Sequence, residues 1–265
     1  MTGESGQDPG RDSIVDGHPV RTYPVALTTE SLALGWARSE AAPEGAVVTA
    51  TQELSPRQRK GPPWIVFPSG GLYLSMVLRP GLPPEGEDLL WVLACLSAAR
   101  AIEALGVDGV RIKWPDDVHV DGRKIAGLKV INQLGPGRID SAIVTFRVNA
   151  NVDATQLPDD LEGRATSISM ETGSQVDQDV ALKAFLRTFD ETYDLEPAHL
   201  LDGYRQRCET LGRSVRASLL PRGEVVGVAS NVDASGTLLI DAGARTIGVN
   251  VDSLKKLEYL LASDA

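Results

Sequence analysis

The stretch 113–127 constrains the fold of this chain more than any other part of the sequence. Residues 110–114 overlap the start of this stretch. Apolar and charged residues alternate there, which is the periodicity of a core β-strand. Pro115 ends this strand because proline has no N–H group to donate to a neighbouring strand. Asp121-Gly122 predicts a two-residue hairpin turn, and a second strand follows from about 124 to 132. The stretch therefore predicts strand, turn and strand.

Lys113 stands at the end of the first of these strands, beside the rigid turn at Pro115. A lysine in such a place can have its ammonium group held in position. A fixed ammonium group suits a carboxylate or phosphate that is gripped at one point. The simpler alternative is a plain hairpin with a solvated lysine. Lys113 is therefore the first candidate catalytic residue.

The motif Lys-Trp-Pro-Asp-Asp at 113–117, followed by Gly-Arg-Lys-Ile-Ala-Gly at 122–127, resembles the central signature of biotin–protein ligases. That family usually reads Lys-Trp-Pro-Asn-Asp, so Asp116 departs from it. The resemblance covers about residues 24–260. It implies an α/β (α+β) fold, with a mixed-sheet catalytic domain of the biotin/lipoate ligase type followed by a small SH3-like β-barrel.

The sequence predicts three parts. Residues 1–20 are rich in Gly, Asp, Ser and Pro and predict a disordered tail, too short and too polar for the DNA-binding helices that some biotin ligases carry. Residues 21–211 correspond to the ligase-like catalytic domain. A break in composition at 211–212 and the short strands after it predict an SH3-like domain at 212–265.

Apolar periodicity and turn residues predict the other elements of these domains. Helices are predicted to open at 28–31 and to cover 89–105, 177–194 and 197–211. Further strands are predicted at 46–51, 72–77, 139–148, 215–219, 224–229, 237–241 and 245–251.

The helix that opens at 28–31 stands where the family has Ser-Thr-Asn, whose hydroxyls contact biotin. Thr28 and Thr29 keep the hydroxyl groups, while Glu30 replaces the amide. An ordinary helix cap is an equally good interpretation of Thr28. The run that begins with Gly70-Gly71 resembles the family's Gly-Gly-x-Leu-x-Leu-Ser and is also a core strand.

The segment 53–64 stands where the family has a loop of the form Gln-Thr-Ala-Gly-Arg-Gly-Arg-x-Gly-x-x-Trp. Glycines there let the backbone approach biotin and the phosphates, and arginines neutralise the anions. The residues that keep their places are Arg57, Arg59, Gly61 and Trp64. The residues that depart are Glu53, which replaces the glutamine, and Pro56 and Gln58, which replace two glycines. Without the other motifs, the basic residues of this segment would indicate an ordinary basic surface loop.

The family ends its next strand with Gly-Ile-Gly-x-Asn-Val, and both glycines lie against biotin. This chain has Arg147 and Asn149 in their places, followed by Asn151. Arg147 adds a long cation and Asn149 adds bulk, so this departure bears on which acyl group fits. Asn151 aligns with the asparagine that meets adenine in the family.

The resemblance implies a two-step reaction that uses ATP, Mg²⁺ and biotin. The biotin carboxylate attacks the α-phosphate of Mg-ATP to give biotinyl-AMP and pyrophosphate, and a lysine of a carboxylase's biotin carrier domain then attacks the mixed anhydride. Cations must stand between carboxylate and phosphate because these groups repel each other.

The resemblance also implies roles for individual residues. The catalytic residues would be Lys113, Arg57 and Arg59. The residues that form the substrate pocket would be Thr28, Thr29, Glu53, Gly71, Gly127, Arg147 and Asn149. The residues that bind the nucleotide would be Arg59, Lys60, Trp64 and Asn151. Asp117 either holds Lys113 or caps the turn.

Composition bears on the partners and the compartment. A net charge of −10 makes the chain a poor non-specific binder of nucleic acid or of anionic membranes. The sequence shows no bilayer-spanning apolar run and no secretory segment. Cys95 and Cys208 predict buried free thiols in a reducing, cytoplasmic setting, and the scattered histidines suggest no metal site. The expected partner is the carrier domain, without nucleic acid or membrane, and a homodimer is allowed.

Two hypotheses follow. The first is an active biotin–protein ligase, which the retained Lys113, Arg57, Arg59 and Asn151 favour. The second is a diverged homologue that takes a different acyl or carboxylate substrate, or a non-catalytic ligand-binding protein. The departures that favour it are Glu53, Pro56, Gln58, Asp116, Arg147 and Asn149. A DNA-binding repressor is disfavoured by the short tail and the acidic charge.

Overall fold

A computed structural model describes residues 10–60, 64–67 and 70–260. Its strands are β1 (Arg11–Val15), β2 (His18–Ala26), β3 (Val47–Glu53), β4 (Gly71–Leu78), β5 (Val110–Lys113), β6 (Asp117–Val120), β7 (Arg123–Gly135), β8 (Arg138–Asn149), β9 (Ser214–Leu219), β10 (Glu224–Val232), β11 (Leu238–Asp241), β12 (Thr246–Val249) and β13 (Leu254–Tyr259). Its α-helices are α1 (Thr29–Ser39), α2 (Glu87–Ala104), α3 (Ile168–Thr172), α4 (Gln178–Tyr193) and α5 (Pro197–Arg207).

The first eight strands form one mixed sheet in the order β1-β2-β3-β4-β8-β7-β6-β5. The pair β2–β3 is parallel, and the other neighbours are antiparallel. Strand β4 is buried along its whole length, because α1 covers one face of the sheet and the main core covers the other. This confirms the predicted mixed-sheet α/β domain.

Helix α2 is the centre of the main core. It is apolar nearly all round, as expected of a helix with packing partners on several sides. It packs against α4, α5 and strands β5 to β8, and Gly106 follows its end in the left-handed conformation (φ 91°). The predicted packing helices at 89–105 and 177–194 are thus confirmed as α2 and α4.

The stretch 113–127 contains the hairpin turn and parts of the two predicted strands, β5 and β7, and also the short strand β6 between them, which was not predicted. Asp121 and Gly122 both have positive φ angles, 49° and 75°, as a type I′ hairpin turn requires. In the ladders, Lys113 lies opposite Asp117, and Asp117 lies opposite Gly127. Strand β5 is the edge of the sheet, although Ile112 on it is fully buried.

The remaining strands form a second, antiparallel sheet in the order β12-β11-β10-β9-β13. Four of them match predicted strands, and β13 was missed. Within the described residues β12 and β13 are the two edges, so this sheet is open and no ladder closes it into the expected barrel. Its apolar residues join the same core cluster as α2.

Two predicted boundaries were wrong. Residues 11–20, assigned to a disordered tail, form β1 and the start of β2, joined by a turn at Asp16-Gly17 (φ 46° and 90°). An Asp-Gly turn between short strands is a hairpin signal that the polar composition hid, and residues 1–9 lie outside the described residues. Helix α5 ends at Arg207 rather than 211, because Cys208 is extended (φ −72°, ψ 101°).

Cys95 and Cys208 are buried free thiols, as predicted, although Cys208 ends α5 rather than lying within it. None of the helices in the described ranges is both long and apolar enough to cross a membrane.

Candidate active site

Three of the predicted site residues, Trp64, Gly127 and Arg147, line a small cavity between β6, β7, β8 and the loop 54–60. The cavity measures about 10 Å³. A space of this size holds one water molecule at most. The residues that line it are Gln58, Trp64, Asp116, Asp117, Lys124, Gly127, Leu128 and Arg147.

A buried ion cluster, formed by Glu30, Glu53, Lys129 and Arg147, adjoins this cavity through Arg147. Arg147 Nε donates to Glu53 Oε2 at 2.7 Å, and its Nη2 lies 3.4 Å from Glu30 Oε2. Lys129 Nζ donates to Glu30 Oε1 at 2.8 Å. Glu53 is 1% exposed and Arg147 2%. Two anions balance two cations, so the buried ion cluster carries no formal net charge.

Hydroxyl groups complete the bonding of Glu53. Its Oε1 accepts from the backbone N–H of Thr29 at 2.6 Å and from the Thr29 hydroxyl at 2.8 Å. That hydroxyl also lies 2.8 Å from the Ser75 hydroxyl, which in turn lies 2.8 Å from that of Thr145. Buried charges are tolerated when they are paired and hydrogen-bonded in this way.

The strand register explains why Arg147 points into the site. It lies in β8 directly opposite Gly127 of β7, and both residues line the cavity. Glu53 ends β3 and Glu30 lies in the first turn of α1. Three departures from the ligase signature thus meet in one network, in which Arg147 contacts both glutamates.

The Thr28 and Thr29 side chains make different hydrogen bonds and have different roles. The Thr28 side chain caps α1 by accepting from the backbone N–H of Ser31 at 3.1 Å. The Thr29 hydroxyl, in contrast, belongs to the network around Glu53. Of the two predicted biotin-contacting hydroxyls, Thr28 therefore has the capping role that the sequence analysis gave as its alternative.

Asn149 and Asn151 hold backbone segments in this structure. Asn149 Nδ2 donates to the carbonyl of Thr166 at 2.9 Å. Asn151 exchanges two hydrogen bonds with Val176, donating to its carbonyl at 2.8 Å and accepting from its N–H at 2.9 Å. The amide predicted to meet adenine is thus engaged with the segment that leads into α4.

The loop 54–60 is anchored by Arg59. Its Nε donates to Asp116 Oδ2 at 3.1 Å, and its Nη1 donates to the carbonyls of Val251 at 3.2 Å and Leu254 at 2.8 Å. Arg59 therefore ties the loop to both sheets. The Arg57 and Lys60 side chains are exposed, and the predicted loop glycine Gly61 lies outside the described residues.

Asp116 is another departure from the signature, and its surroundings disfavour the ionised form of its carboxyl group. Burial raises the pKa of its carboxyl group, and the neighbouring charge of Asp117 raises it further. The guanidinium group of Arg59 and the ammonium group of Lys124 act in the opposite direction, because they favour the ionised carboxylate. The site thus pairs two adjacent carboxylates with two cations.

The two lysines of the signature face different places. Lys113 Nζ lies 5.0 Å from the ring centroid of Tyr259 in β13, and Lys113 is not one of the residues that line the cavity. Lys124 Nζ lies 2.5 Å from Asp117 Oδ1 and 5.0 Å from the ring centroid of Trp64. Asp117 therefore holds Lys124 rather than Lys113. Lys124 was not among the predicted site residues, although it stands inside the Gly-Arg-Lys-Ile-Ala-Gly motif.

Gly127 and Gly71 are required by their neighbours. A Cβ atom on Gly127 would lie 2.7 Å from Trp64 Cζ3, so glycine lets the indole ring pack against the strand. Gly71 lies opposite Asn149 in the β4–β8 ladder, and its carbonyl accepts from Gln178 Nε2 at 3.1 Å. Both positions admit close packing from the protein itself.

Comparisons with known proteins agree with this architecture. The model of the biotin/lipoate A/B protein ligase family matches residues 25–149. The bifunctional ligase/repressor BirA of Bacillus spizizenii is 29% identical over 204 residues, which cover 76% of this chain and 62% of that protein. The biotin--[acetyl-CoA-carboxylase] ligase of Mycobacterium tuberculosis is 28% identical over 238 residues, covering 87% of this chain and 86% of that protein.

A solved structure shares the fold of nearly the whole chain. The biotin protein ligase from Aquifex aeolicus, in complex with biotin and ATP, superposes with a TM-score of 0.73 at 23% identity. The match covers 91% of this chain and 99% of that one. Both sheets therefore belong to one known arrangement.

Proposed function

Because the model of the biotin/lipoate A/B protein ligase family matches residues 25–149 and similar ligases align with most of this chain, we propose that it is an ATP-dependent biotin–protein ligase. The observation that carries this proposal is the set of paired cations around the cavity, Arg59 on Asp116 and Lys124 on Asp117, at the strands of the ligase signature. The names of relatives that span most of this chain support biotin as the acid and a carboxylase as the acceptor.

The first step joins two anions. A carboxylate oxygen of biotin bonds to the α-phosphorus of ATP, and the bond from that phosphorus to the bridging oxygen breaks. Pyrophosphate leaves with the electron pair and biotinyl-AMP remains. Positive groups placed between carboxylate and phosphate stabilise this transition state, and we assign that role to Lys113, Arg57 and Arg59.

The second step transfers the acyl group to a carrier domain. The amine of a carrier lysine attacks the acyl carbon of biotinyl-AMP, AMP leaves, and the attacking nitrogen loses a proton. The reaction is a nucleophilic substitution that needs no redox partner. Buried free Cys95 and Cys208 are consistent with a reducing, cytoplasmic setting for the enzyme.

For the nucleotide we propose contacts from Arg59, Lys60, Trp64 and Asn151. Asn151 would exchange its partner Val176 for the adenine ring. Within the described residues there is no group of three or more His, Cys, Asp or Glu side chains that could hold a metal ion. We therefore propose that Mg²⁺ arrives on the triphosphate, its usual mode of binding with nucleotides.

For the acid we propose the pocket around Thr28, Thr29, Glu53, Gly71, Gly127, Arg147 and Asn149. The cavity of about 10 Å³ admits no ring system as it stands. Entry of biotin therefore requires the Arg147 side chain to leave Glu53, or the loop 54–60 to move outward. Because the pair is buried, the first route has a free-energy cost that binding must offset.

The same buried ion cluster favours a second candidate, an enzyme that activates a carboxylic acid other than biotin. Arg147 and Asn149 stand where the family signature has glycines that leave room for biotin. An acid without a fused ring system would not need that room. This alternative keeps the adenylate chemistry and changes the acyl group.

Calorimetric titration separates these candidates. The purified protein is titrated with biotin and with a non-hydrolysable biotinyl-AMP analogue, with Lys113→Ala as the test variant and Lys256→Ala in β13 as the matched control. Biotin ligase activity predicts tight binding of the analogue, weakened about 100-fold or more by Lys113→Ala and unchanged by Lys256→Ala. If neither compound binds, biotin is the wrong acid, and other carboxylates are tested with Mg-ATP.

A further inference from the structure

Tyr259 of the second sheet contacts Lys113, a residue to which the proposed reaction assigns a positive charge between the reacting groups. Its ring centroid lies 5.0 Å from Lys113 Nζ. We propose that Tyr259 is a positioning residue for adenylation, because the face of its ring holds the Lys113 ammonium group in place without cancelling its charge. This inference rests on the proposed function, since it names the residue through which the second sheet acts on the first step.

The cations around the candidate active site differ in their partners. Three of them pair with carboxylates, and these pairs are Arg59–Asp116, Lys124–Asp117 and Arg147–Glu53. Lys113 has no such partner within the residues that the structure describes, and its ammonium group faces the ring instead. A carboxylate offsets much of a neighbouring positive charge, whereas an aromatic ring attracts a cation and leaves the net charge unchanged. The charge of Lys113 therefore stays available for an anionic substrate.

Lys113 stands beside the cavity rather than in its lining. It ends β5 and lies directly opposite Asp117 in the β5–β6 ladder, and Asp117 lines the cavity. ATP is far larger than a cavity of about 10 Å³, so its phosphates need residues beside the cavity as well as those that line it. A cation fixed at this place suits that need.

The Tyr259 ring is itself fixed by the strand that carries Lys113. The Tyr259 hydroxyl lies 2.9 Å from the Thr210 hydroxyl, whose oxygen accepts from the backbone N–H of Trp114 at 3.0 Å. Trp114 follows Lys113 directly in the chain, so the contacts form a closed circuit from the lysine to the ring and back to its neighbour. An ammonium group held by a fixed ring is oriented before ATP arrives, which reduces the entropy lost on binding.

Two charged groups complete the surroundings of the ring. The Tyr259 hydroxyl donates to Glu209 Oε1 at 3.3 Å, and His119 Nδ1 lies 3.0 Å from the same oxygen. The guanidinium carbon of Arg213 lies 4.6 Å from the ring centroid. Burial raises the pKa of the Tyr259 hydroxyl, so the ring stays neutral at physiological pH. Lys113 thus meets an uncharged aromatic partner over the working range of pH.

The backbone brings β13 to the end of β5. Tyr259 lies opposite Val215 in the β9–β13 ladder. The segment that leads into β9 is bonded to β5, because the N–H of Glu209 donates to the carbonyl of Ile112 at 2.9 Å. The second sheet is therefore attached to the strand that carries Lys113.

In the adenylation step Lys113 would keep its proton and act as a fixed positive charge. The carboxylate oxygen bonds to the α-phosphorus, the bond to the bridging oxygen breaks, and pyrophosphate takes the electron pair. Tyr259 makes and breaks no bond and acts through Lys113. A contact between an ammonium group and a ring contributes a factor of about 3 to 30.

The test compares Tyr259→Leu, which removes the ring, with Tyr259→Phe, which keeps it, and with Tyr193→Leu in α4 as the matched control. Biotinyl-AMP formation is measured in a single turnover with saturating biotin and Mg-ATP, and thermal melting verifies folding. We expect Tyr259→Leu to slow formation about 10-fold, Tyr259→Phe to stay within about threefold of the wild type, and Tyr193→Leu to match it.

The double variant separates positioning from a general structural effect. If Tyr259 acts through Lys113, Tyr259→Leu should slow a Lys113→Met enzyme by less than about twofold. The same 10-fold loss in both backgrounds would overturn the inference, as would a folded Tyr259→Leu variant within about twofold of the wild-type rate. Faster formation in Tyr259→Leu would also overturn it, because the ring would then hold Lys113 away from the reaction.

A second measurement decides the inference even if the wild type forms no biotinyl-AMP, a result that would count against the proposed function alone. Lysines are dimethylated with isotope-labelled formaldehyde, which keeps their positive charge, and the Lys113 methyl signal in NMR is identified by its loss in Lys113→Arg. A signal that changes in Tyr259→Leu but not in Tyr193→Leu, and that shifts when Mg-ATP is added, supports the inference. A signal that Tyr259→Leu or Mg-ATP leaves unchanged contradicts it.

Discussion

At the scale of single residues, Arg147 decides the character of the acyl pocket. Its guanidinium group lies between Glu53 and Glu30, opposite Gly127, in a position where the ligase signature leaves room for biotin. In the sequence, Arg147 was recognised as a long cation in place of a glycine of the acyl pocket. In the structure it fills the pocket and grips a carboxylate of the protein itself.

The buried ion cluster predicts strong coupling between Arg147 and Glu53. Each single change, Arg147→Met or Glu53→Gln, leaves an uncompensated buried charge and should lower the free energy of unfolding by about 3 to 5 kcal/mol. The double variant removes both charges, so it should lose less than the sum of the single losses by at least about 2 kcal/mol. Denaturant unfolding of the four proteins measures this coupling. Losses that add to within about 0.5 kcal/mol would contradict a paired cluster.

Residue types alone could identify most of the site but not its pairing. Glu53, Arg147 and Asp116 were recognised as departures, one position at a time. That Arg147 pairs with Glu53, 94 positions away, follows from the order of β3, β4 and β8 in the sheet. Strand order is a long-range property, and local sequence patterns do not contain it.

At the scale of elements, the two Asp-Gly turns show what sequence patterns detect. The turn at Asp121-Gly122 was predicted because an alternating run at 110–114 precedes it and a long strand follows it. The same signal at Asp16-Gly17 was missed because the strand before it, β1, is mostly exposed and polar. Polar composition outweighed the turn signal there, although β2 gains its stability from pairing with the distant β3.

Asn151 joins two elements, the end of β8 and the segment that leads into α4. Asn151→Ala should expose the N–H of Val176 to exchange, because that N–H loses its acceptor, with a cost of about 1 to 3 kcal/mol. Hydrogen exchange measured by NMR tests this, with the exposed Asn231→Ala of β10 as the matched control. Unchanged exchange at Val176, together with a lower affinity for Mg-ATP, would show that Asn151 serves the nucleotide instead.

At the scale of the whole molecule, two side chains connect the sheets. Arg59 donates to carbonyls of the second sheet while holding Asp116 in the first. Asp88 at the start of α2 accepts from the N–H of Val251 at 3.1 Å and from the Thr237 hydroxyl at 3.2 Å. The second sheet is thus anchored beside the candidate active site.

Asp88 should make stability depend on pH. Burial raises the pKa of its carboxyl group to about 6, with smaller contributions from the charges of Glu87 and Asp252, while the hydrogen bonds from Val251 and Thr237 act to lower the pKa. Between its ordinary pKa and about 6 the folded state holds a proton that the unfolded state has lost, so stability falls as pH rises through this window. The Asp88→Asn variant lacks this titration.

We therefore expect the free energy of unfolding of the wild type, relative to Asp88→Asn, to decrease by about 2 to 3 kcal/mol between pH 4 and pH 7. Denaturant unfolding at several pH values measures the difference. A difference that stays constant over this range would show that the Asp88 carboxyl group titrates normally. The hydrogen bonds to Val251 and Thr237 would then not depend on its ionisation.

The whole-molecule architecture was the most predictable part of the protein and the state of the pocket the least. The resemblance that rests on the Lys-Trp-Pro-Asp-Asp signature predicted the mixed sheet and the second sheet of short strands. Apolar periodicity predicted the long α2. Closure of the second sheet into a barrel was expected, but the described strands leave it open. That Lys113 faces Tyr259 of the second sheet, while Lys124 lines the cavity, depends on tertiary packing, which local sequence patterns do not contain.

The most direct test of the central claim, that this chain activates biotin as an adenylate, is biotin-dependent exchange of labelled pyrophosphate into ATP. Exchange requires that the carboxylate attack the α-phosphate and that the step be reversible, so it needs no knowledge of the carrier domain. We predict exchange that depends on biotin and is reduced about 100-fold or more in a folded Lys113→Ala variant. Exchange that proceeds equally without biotin, or that is absent at any biotin concentration, would contradict the account.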